Sequence, residues 1–321
     1  MAPLGLKTGA IIRPTALTIM AGGIFAAGCI GDAAQPRRRH IVASISVVAD
    51  AVRMVGGERV EVHTLVGPGG DPHQYLLQPR DLEILSAADM VFIIGLGLEE
   101  SMRQVLAEPN LSGRTVAVSG NIDRAELLPA TSGGGAFDPH VWFDVRLWVT
   151  AIQTVADSLA KLDSASADFF LSNAASYQNQ LLQLDEWMVA RAREISEARR
   201  VLITAHRGFD YLGRRMGLET VGVLGTGTTA GVDPDEIDRV AAVVVARDIP
   251  FVFAETSLTR EDVEAVRGRV GAQGGSVEIA GPLYSDATGN PETVEETYIG
   301  MMGYDVNAIV AALAESPILS P

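Results

Sequence analysis

The sequence predicts an α/β protein with two lobes, each built on a roughly four-stranded parallel sheet flanked by helices, and joined by one long rigid helix. Three observations predict this fold. Short apolar, β-branched runs alternate with helical periodicity, which is typical of parallel sheets covered on both faces. One uninterrupted helical segment, 165–199, divides that alternation near the middle. The chain has 321 residues, 47% of them hydrophobic, which is enough for two domains with cores of their own.

The first predicted lobe covers residues 40–164. Its strands are short apolar runs bounded by turn residues, at 41–45, 60–66, 90–94 and 116–118. Helices are predicted between them and after the last, at about 46–57, 79–88, 98–107 and 147–162. Pro79 suits the first turn of the second of these helices, because that position needs no backbone donor.

The linking helix is predicted over 165–199, where apolar residues recur at spacings of three, four and seven. These residues are Phe169, Phe170, Tyr177, Leu181, Leu184, Trp187, Met188 and Ile195. A coiled-coil dimer is the alternative interpretation, and the lack of a sustained heptad disfavours it. We therefore expect a monomer whose long helix packs along the body and joins the lobes.

The second predicted lobe covers residues 200–321. Its strands are predicted at 201–204, 220–224, 251–254 and 276–279. Helices are predicted at 209–216, at 234–247, after a cap formed by Thr259 and Asp262, and from Asn290 to about residue 314. The helix 234–247 has the strongest start signal, because Asp233-Pro234-Asp235-Glu236 combines an N-cap, a first-turn proline and a glutamate three residues on.

The N-terminus has the features of a bacterial lipoprotein signal. A basic start with Lys7 and Arg13 precedes an apolar stretch that ends in Ala26-Ala27-Gly28-Cys29. We predict a signal peptide over 1–28, lipidation of Cys29 and a polar tether over 29–39. An ordinary cleaved secretory signal remains the alternative. A transmembrane anchor is disfavoured, because the apolar segment is shorter than the ~20 residues that span a bilayer.

Charge and cysteine content narrow the class of ligand. The formal net charge of -15 disfavours nucleic acid, which requires clustered basic residues, and suits a cation. Cys29 is the only cysteine, so the sequence excludes both an intramolecular disulfide framework and a zinc site with several thiolates.

Two of the five histidines lie in the same tripeptide, Asp71-Pro72-His73 and Asp138-Pro139-His140. The proline fixes one backbone dihedral of each turn, and Asp71 and Asp138 can accept hydrogen bonds nearby. His206 and Asp286 also follow predicted strands, and parallel sheets bind ligands at that edge. Three imidazoles and one carboxylate make a plausible site for Zn2+ or Mn2+. We interpret the remaining two, His40 and His63, as solvated or structural residues.

Five motifs, in order along 40–314, resemble the TroA-like (cluster A-I) solute-binding proteins of manganese and zinc ABC transporters. They are Gly70-Asp71-Pro72-His73-Gln74-Tyr75, Asp138-Pro139-His140-Val141-Trp142-Phe143-Asp144, Thr204-Ala205-His206, Phe253-Ala254-Glu255-Thr256-Ser257 and Leu283-Tyr284-Ser285-Asp286-Ala287-Thr288-Gly289. The resemblance implies that His73, His140, His206 and Asp286 bind the metal. It also implies an extracytoplasmic, membrane-anchored receptor that delivers the ion to an ABC permease and is not an enzyme.

Several departures from the family pattern leave the identity of the bound metal, Zn2+ or Mn2+, open. Zinc-specific members often carry a long loop rich in histidine and acid before the second motif, whereas this chain has only residues 131–135 there. Many manganese members have Glu where His206 stands. Arg207 introduces a cation beside the site, while Trp142 shields His140 and belongs to a context typical of the manganese branch.

Two other functions remain open on the sequence. A secreted zinc hydrolase uses similar ligands together with a general base, and Glu255 is the candidate base, although orienting a ligand or ordering its loop is its simpler role. A surface adhesin with the same fold differs only in its partner.

Overall fold

The computed structural model describes residues 37–314 and contains two parallel sheets of four strands each. The strands of the first sheet are β1 (Arg39–Ile45), β2 (Val60–Val66), β3 (Met90–Ile93) and β4 (Thr115–Ala117), in the order β2-β1-β3-β4. Those of the second are β5 (Val201–His206), β6 (Glu219–Leu224), β7 (Phe251–Glu255) and β8 (Glu278–Leu283), in the order β6-β5-β7-β8. Both sheets thus repeat one topology, and the predicted fold class is confirmed.

Helices connect the strands and cover the sheets. In the first lobe they are α1 (Ser46–Gly56), α2 (Pro79–Ala87), α3 (Arg103–Leu106), α4 (Pro109–Ser112) and α5 (Val145–Leu162). The linking helix is α6 (Ala167–Ala192), and the second lobe adds α7 (Asp210–Met216), α8 (Pro234–Arg247), α9 (Glu261–Ala272) and α10 (Tyr298–Ala314). No helix within 37–314 is long and apolar enough to cross a membrane.

Apart from shifts of one or two residues at element ends, five predicted elements differ from the structure. The segment 98–107 contains only a 3-10 turn and the four-residue α3. The linking helix ends at Ala192, and a 3-10 turn at Glu197–Arg199 follows it. The last strand runs to Leu283 instead of ending at 279. The helix α9 begins after Arg260 without a side-chain cap, and α10 begins at Tyr298 instead of near Asn290.

The larger hydrophobic core is shared by the two lobes. It contains the buried faces of α1, α5, α6 and α10, and it continues into the second lobe through residues such as Leu202, Phe209, Phe253 and Leu283. A smaller core lies around Val201, Ile203, Val240 and other aliphatic residues of the second lobe. The shared core attaches the second sheet to the first lobe, so the carboxyl ends of both sets of strands are held near one another.

The predicted signal peptide (1–28), the lipidation site Cys29 and most of the tether (29–39) lie outside the described residues. The tether prediction overlaps the structure at its end, where residue 39 already begins β1.

Candidate metal site

Four side chains from both lobes bring one donor atom each to a common point: His73, His140, His206 and Asp286. Their donor atoms all lie within 4.8 Å of one another. His140, His206 and Asp286 are fully buried, whereas His73 is partly exposed. The four residues named from the sequence therefore form one cluster, with two donors from each lobe.

Each donor is placed by the end of a parallel strand or by the loop that follows it. His73 lies in the loop after β2, and His140 immediately precedes the 3-10 turn Val141–Phe143, well beyond β4. His206 is the last residue of β5, which runs two residues beyond its predicted end at residue 204. Asp286 follows β8. This is the sheet edge at which parallel α/β folds bind ligands.

The spacing of the donor atoms fits a small cation. His140 Nε2 lies 3.3 Å from His73 Nε2, 3.2 Å from His206 Nε2 and 3.3 Å from Asp286 Oδ1. The distance from His206 Nε2 to Asp286 Oδ1 is 3.8 Å. Zinc–ligand distances of about 2.0–2.1 Å correspond to tetrahedral edges of about 3.3–3.4 Å. The cluster can therefore surround such an ion with little rearrangement.

Carboxylates orient two of the imidazoles. Asp138 Oδ1 lies 2.6 Å from His140 Nδ1, and Glu255 Oε2 lies 2.6 Å from His206 Nδ1. The other oxygen of Glu255 accepts a hydrogen bond from the backbone N–H of His206 at 2.8 Å. In the neutral imidazole, a proton held on Nδ1 by a carboxylate leaves the Nε2 lone pair directed at the cluster, which is the arrangement that metal-binding histidines use.

Asp71 serves a different purpose from Asp138, although the two tripeptides are identical. Its Oδ1 accepts from the backbone N–H of His73 at 2.8 Å, so it orders the loop and not the imidazole. Its Oδ2 accepts from Thr228 Oγ1 of the second lobe at 2.6 Å and from Gln74 Nε2 at 2.9 Å. Asp71 thus ties the loop of His73 to the opposite lobe.

Trp142 and Arg207 take different positions around the site. The Trp142 ring packs against His140 with 5.1 Å between centroids, and its Nε1 donates to the backbone oxygen of Ser285, which precedes Asp286. Trp142 therefore links the second and fifth motifs. The guanidinium of Arg207 donates two hydrogen bonds to Asp210, so a neighbouring carboxylate balances its charge.

The charges in the cluster shift the pKa values of its members. Desolvation lowers the pKa of His73 to about 3, so this imidazole is neutral at neutral pH. Burial also acts to lower the pKa of His140, but Asp138 and Asp286 outweigh it and raise that pKa to about 10. Burial acts to raise the pKa of Asp286, and the imidazoles of His206 and His140 outweigh it and hold that pKa below its ordinary value.

Sequence reasoning assigned no role to several residues that support the site. Ser257 and Ser285 contact the second oxygen of Asp286. Tyr211 donates to the backbone oxygen of Asp138 at 3.0 Å and accepts from the N–H of Leu128. Ser257 and Ser285 lie inside the fourth and fifth motifs, so the motifs contained a signal for them, whereas Tyr211 lies in α7 with no sequence signal.

Comparison with known proteins gives a consistent result. The family model "ZnuA: Zinc-uptake complex component A periplasmic" matches residues 41–312. The chain is 38% identical over 283 residues to "Zinc-binding protein TroA" of Treponema pallidum. The alignment covers 88% of this chain and 91% of that protein. It is 35% identical over 302 residues to "Manganese-binding lipoprotein MntA" of Bacillus subtilis, covering 92% and 98% of the two chains.

The fold agrees with these sequence matches. The solved structure of the periplasmic zinc-binding protein TroA from Treponema pallidum superposes with a TM-score of 0.83 at 38% identity, covering 87% of this chain and all of that one. The resemblance noted in the sequence is thereby confirmed. Because the family model spans most of the chain, this protein belongs to the ZnuA family of periplasmic metal-uptake components.

Proposed function

We propose that this protein captures one divalent transition metal ion, Zn2+ or Mn2+, outside the cytoplasm and delivers it to an ABC permease. The observation that carries the proposal is the convergence of three imidazole nitrogens and one carboxylate oxygen, two donors from each lobe. The names of the relatives, zinc-binding in one and manganese-binding in the other, support the same class of cargo.

In this proposal His73, His140 and His206 each bind the ion through Nε2, and Asp286 binds it through Oδ1. Oδ1 of Asp286 is buried and makes no hydrogen bond of good geometry among the described residues, although His140 Nε2 lies 3.3 Å away. A buried carboxylate oxygen without a partner is costly, and a bound cation would satisfy it. Asp138 and Glu255 orient two of the imidazoles, and Asp71 orders the loop of the third.

We infer binding rather than hydrolysis as the role of this site. A hydrolytic zinc site needs a general base within reach of a metal-bound water. Both oxygens of Glu255 are engaged by the backbone and the ring of His206, so Glu255 is committed to holding that residue. This arrangement favours a receptor over the zinc hydrolase that the sequence left open.

We also propose that the protein is a monomer anchored to the membrane through lipidated Cys29, with lobes over 40–164 and 200–321. The Bacillus subtilis relative is described as a lipoprotein, which supports the anchor. Mass spectrometry of the protein from its native membrane tests the lipid on Cys29. Light scattering of the purified protein tests the monomer.

The site assignment is tested by titrating Zn2+ and Mn2+ into the His140→Ala variant. We expect tight binding, and the rise in melting temperature that accompanies it, to be lost. His63→Ala is the matched control, because His63 lies in β2 outside the cluster and should leave binding unchanged. Unchanged titrations for His140→Ala would refute the assignment, and elemental analysis of protein from its native envelope would identify the cargo.

A further inference from the structure

The start of α10 holds the short turn that follows His140. The hydroxyl of Tyr298, the first residue of α10, donates to the backbone oxygen of Trp142 at 2.6 Å. Both residues are fully buried, so water does not compete for this hydrogen bond. Asp50 of α1 accepts a hydrogen bond from the backbone N–H of Tyr298, which fixes the start of α10 to the first lobe. The helix therefore restrains the turn that carries His140.

The same helix holds the loop of Asp286 about two turns further along. Asp305 is fully buried, and its Oδ1 accepts from the backbone N–H of Tyr284 at 2.9 Å, two residues before Asp286. The rings of Tyr284 and Tyr304 also pack together, with 5.3 Å between their centroids. Asp305 therefore restrains the backbone that leads into Asp286.

Trp142 joins the two restrained segments directly. Its indole Nε1 donates to the backbone oxygen of Ser285 at 3.1 Å, so the turn after His140 and the loop of Asp286 are bonded to each other as well as to α10. These two donors come from different lobes, and His140 Nε2 lies 3.3 Å from Asp286 Oδ1. Three hydrogen bonds outside the cluster thus surround one donor from each lobe.

The carboxyl of Asp305 lies in surroundings that favour its uncharged form. Its Oδ2 is buried and has no hydrogen-bond partner within residues 37–314. Burial raises the pKa of Asp305 well above its ordinary value and outweighs the opposing hydrogen bond from Tyr284, while Glu255 and Glu295 act in the same direction as burial. Since an ionised carboxylate with an unpaired oxygen would be costly here, a neutral amide should replace this carboxyl without loss.

We propose that α10 sets the position of His140 relative to Asp286, with Tyr298 and Asp305 as its positioning residues. This inference rests on the proposed function, because it concerns how two of the same four donors are presented to the ion. A loop released from the helix samples arrangements that do not bind the ion. The apparent affinity then falls with the fraction of molecules that remain competent to bind.

Two substitutions remove the two contacts separately. Asp305→Leu removes the acceptor of the Tyr284 N–H, and Tyr298→Phe removes the donor to Trp142. We expect the Kd for Zn2+, measured by competition with a chelator, to rise about tenfold in each variant. Asp305→Asn restores an uncharged acceptor and should return the Kd to near that of the unchanged protein. Asn307→Leu is the matched control for Asp305→Leu, because Asn307 is exposed on the same helix, and its Kd should not change.

The visible spectrum of bound Co2+ separates positioning from folding stability, because its bands report the geometry of the donors. We expect these bands to shift in Asp305→Leu and in Tyr298→Phe and to return in Asp305→Asn. Tyr298→Phe loses a single oxygen atom and keeps the buried ring, so the test does not depend on whether Asp305→Leu folds.

Two outcomes would overturn the role of α10 while leaving metal capture intact. One is a lower melting temperature in Tyr298→Phe without a change in the Kd or in the Co2+ spectrum. The other is a Kd for Asp305→Asn as weak as that of Asp305→Leu. Failure of the unchanged protein to bind either Zn2+ or Mn2+ would instead refute the proposed function.

Discussion

At the residue scale, the carboxylate behind an imidazole should matter nearly as much as the imidazole itself. In Glu255→Gln the side chain keeps its size but loses the charge that fixes the proton on His206 Nδ1. We expect the affinity for Zn2+, measured by calorimetry, to fall about 10- to 100-fold. Glu261→Gln, at an exposed position that begins α9, is the control and should bind normally. An unchanged affinity in Glu255→Gln would show that His206 is oriented by something else.

The pH dependence of capture follows from protons on the same imidazoles. Neighbouring carboxylates raise the pKa of His140 to about 10 and also raise the pKa of His206. Burial alone would lower both pKa values, but the carboxylates outweigh it. At pH 7, below that value, an incoming ion must displace the proton of His140. His73 contributes no proton, since its pKa is lowered to about 3. Affinity should therefore rise with pH.

We expect the apparent affinity for Zn2+ to change about tenfold per pH unit for each displaced proton between pH 6 and pH 8. Competition with a chelator at each pH measures the affinity, and calorimetry in two buffers of different ionisation enthalpy counts the released protons. A flat profile with no proton release would contradict the protonated state of His140.

At the scale of elements, the loop between β6 and α8 connects the lobes through Thr226, which is 1% exposed. Its Oγ1 accepts from the N–H groups of Thr131 and Ser132, each at 3.1 Å, and donates to the backbone oxygen of Ser132 at 2.7 Å. Thr226→Val preserves shape but leaves these groups unpaired, at a cost of about 1–3 kcal/mol. We expect faster release of Zn2+ to a chelator in stopped flow.

The matched control for this loop is Thr229→Val, because Thr229 is exposed and loses the same hydroxyl. The release rate of this control should equal that of the unchanged protein. Equal rates in both variants would show that the contact between 131–132 and Thr226 does not hold the lobes together.

The linking helix is fixed to both lobes by one aspartate. Asp185 on α6 is 1% exposed and accepts hydrogen bonds from Arg146 of α5 and from Arg215 of α7. Burial acts to raise the pKa of Asp185, but the two arginines outweigh burial and lower that pKa. The ionised aspartate therefore stabilises the fold above the ordinary aspartate pKa range, and this stabilisation is lost as the pH falls. In Asp185→Asn we expect the free energy of unfolding at pH 7 to fall by about 2–4 kcal/mol.

Chemical denaturation measures this loss. Glu186→Gln, at the next and exposed position of the same helix, should change stability little. If both variants lose the same free energy of unfolding, the pairs with Arg146 and Arg215 do not fix the helix.

The sequence predicted the elements that have strong local signals and missed those that depend on tertiary context. The helix α8 begins and ends where its N-cap, proline and periodicity indicate. The strand β8 was predicted too short, because Gly281 and Pro282 lie inside it and are rare in strands. Asn290 makes a local turn with Thr293 and does not start α10. The linking helix was predicted too long because the 3-10 turn after Ala192 has about three residues per turn. The apolar residues there recur at nearly the spacing that an α-helix would give.

The candidate site likewise combines residues with local sequence signals and contacts that depend on tertiary structure. The four residues of the candidate cluster could be named because each lies in a short sequence motif. The contacts of Asp71 with Thr228 and of Thr226 with Thr131 join residues 157 and 95 positions apart. No periodicity or motif in a single sequence specifies such pairs, since they exist only once both sheets are packed.

At the scale of the whole molecule, the continuous core limits how far the lobes can separate. Length and composition suggested two independent cores, but the larger core contains residues of both lobes together with α6 and α10. An opening motion that exposed about 200 Å² of this apolar surface would cost about 5 kcal/mol. The Asp185 pairs add to that cost. Metal capture should therefore proceed mainly through movement of loops such as that of His73, the one partly exposed donor.

Solution scattering tests this expectation on the same protein with and without Zn2+. We expect the radius of gyration of the two forms to agree within about 1 Å, because preorganised binding proteins shift their backbones little. Hydrogen exchange should meanwhile slow in the loop around His73 when Zn2+ binds, while α6 stays protected in both forms. Asp185→Asn provides the comparison, since release of the helix from Arg146 and Arg215 should widen the difference between the forms. A large contraction of the unchanged protein on binding Zn2+ would mean that the shared core opens, against the packing that joins the two lobes.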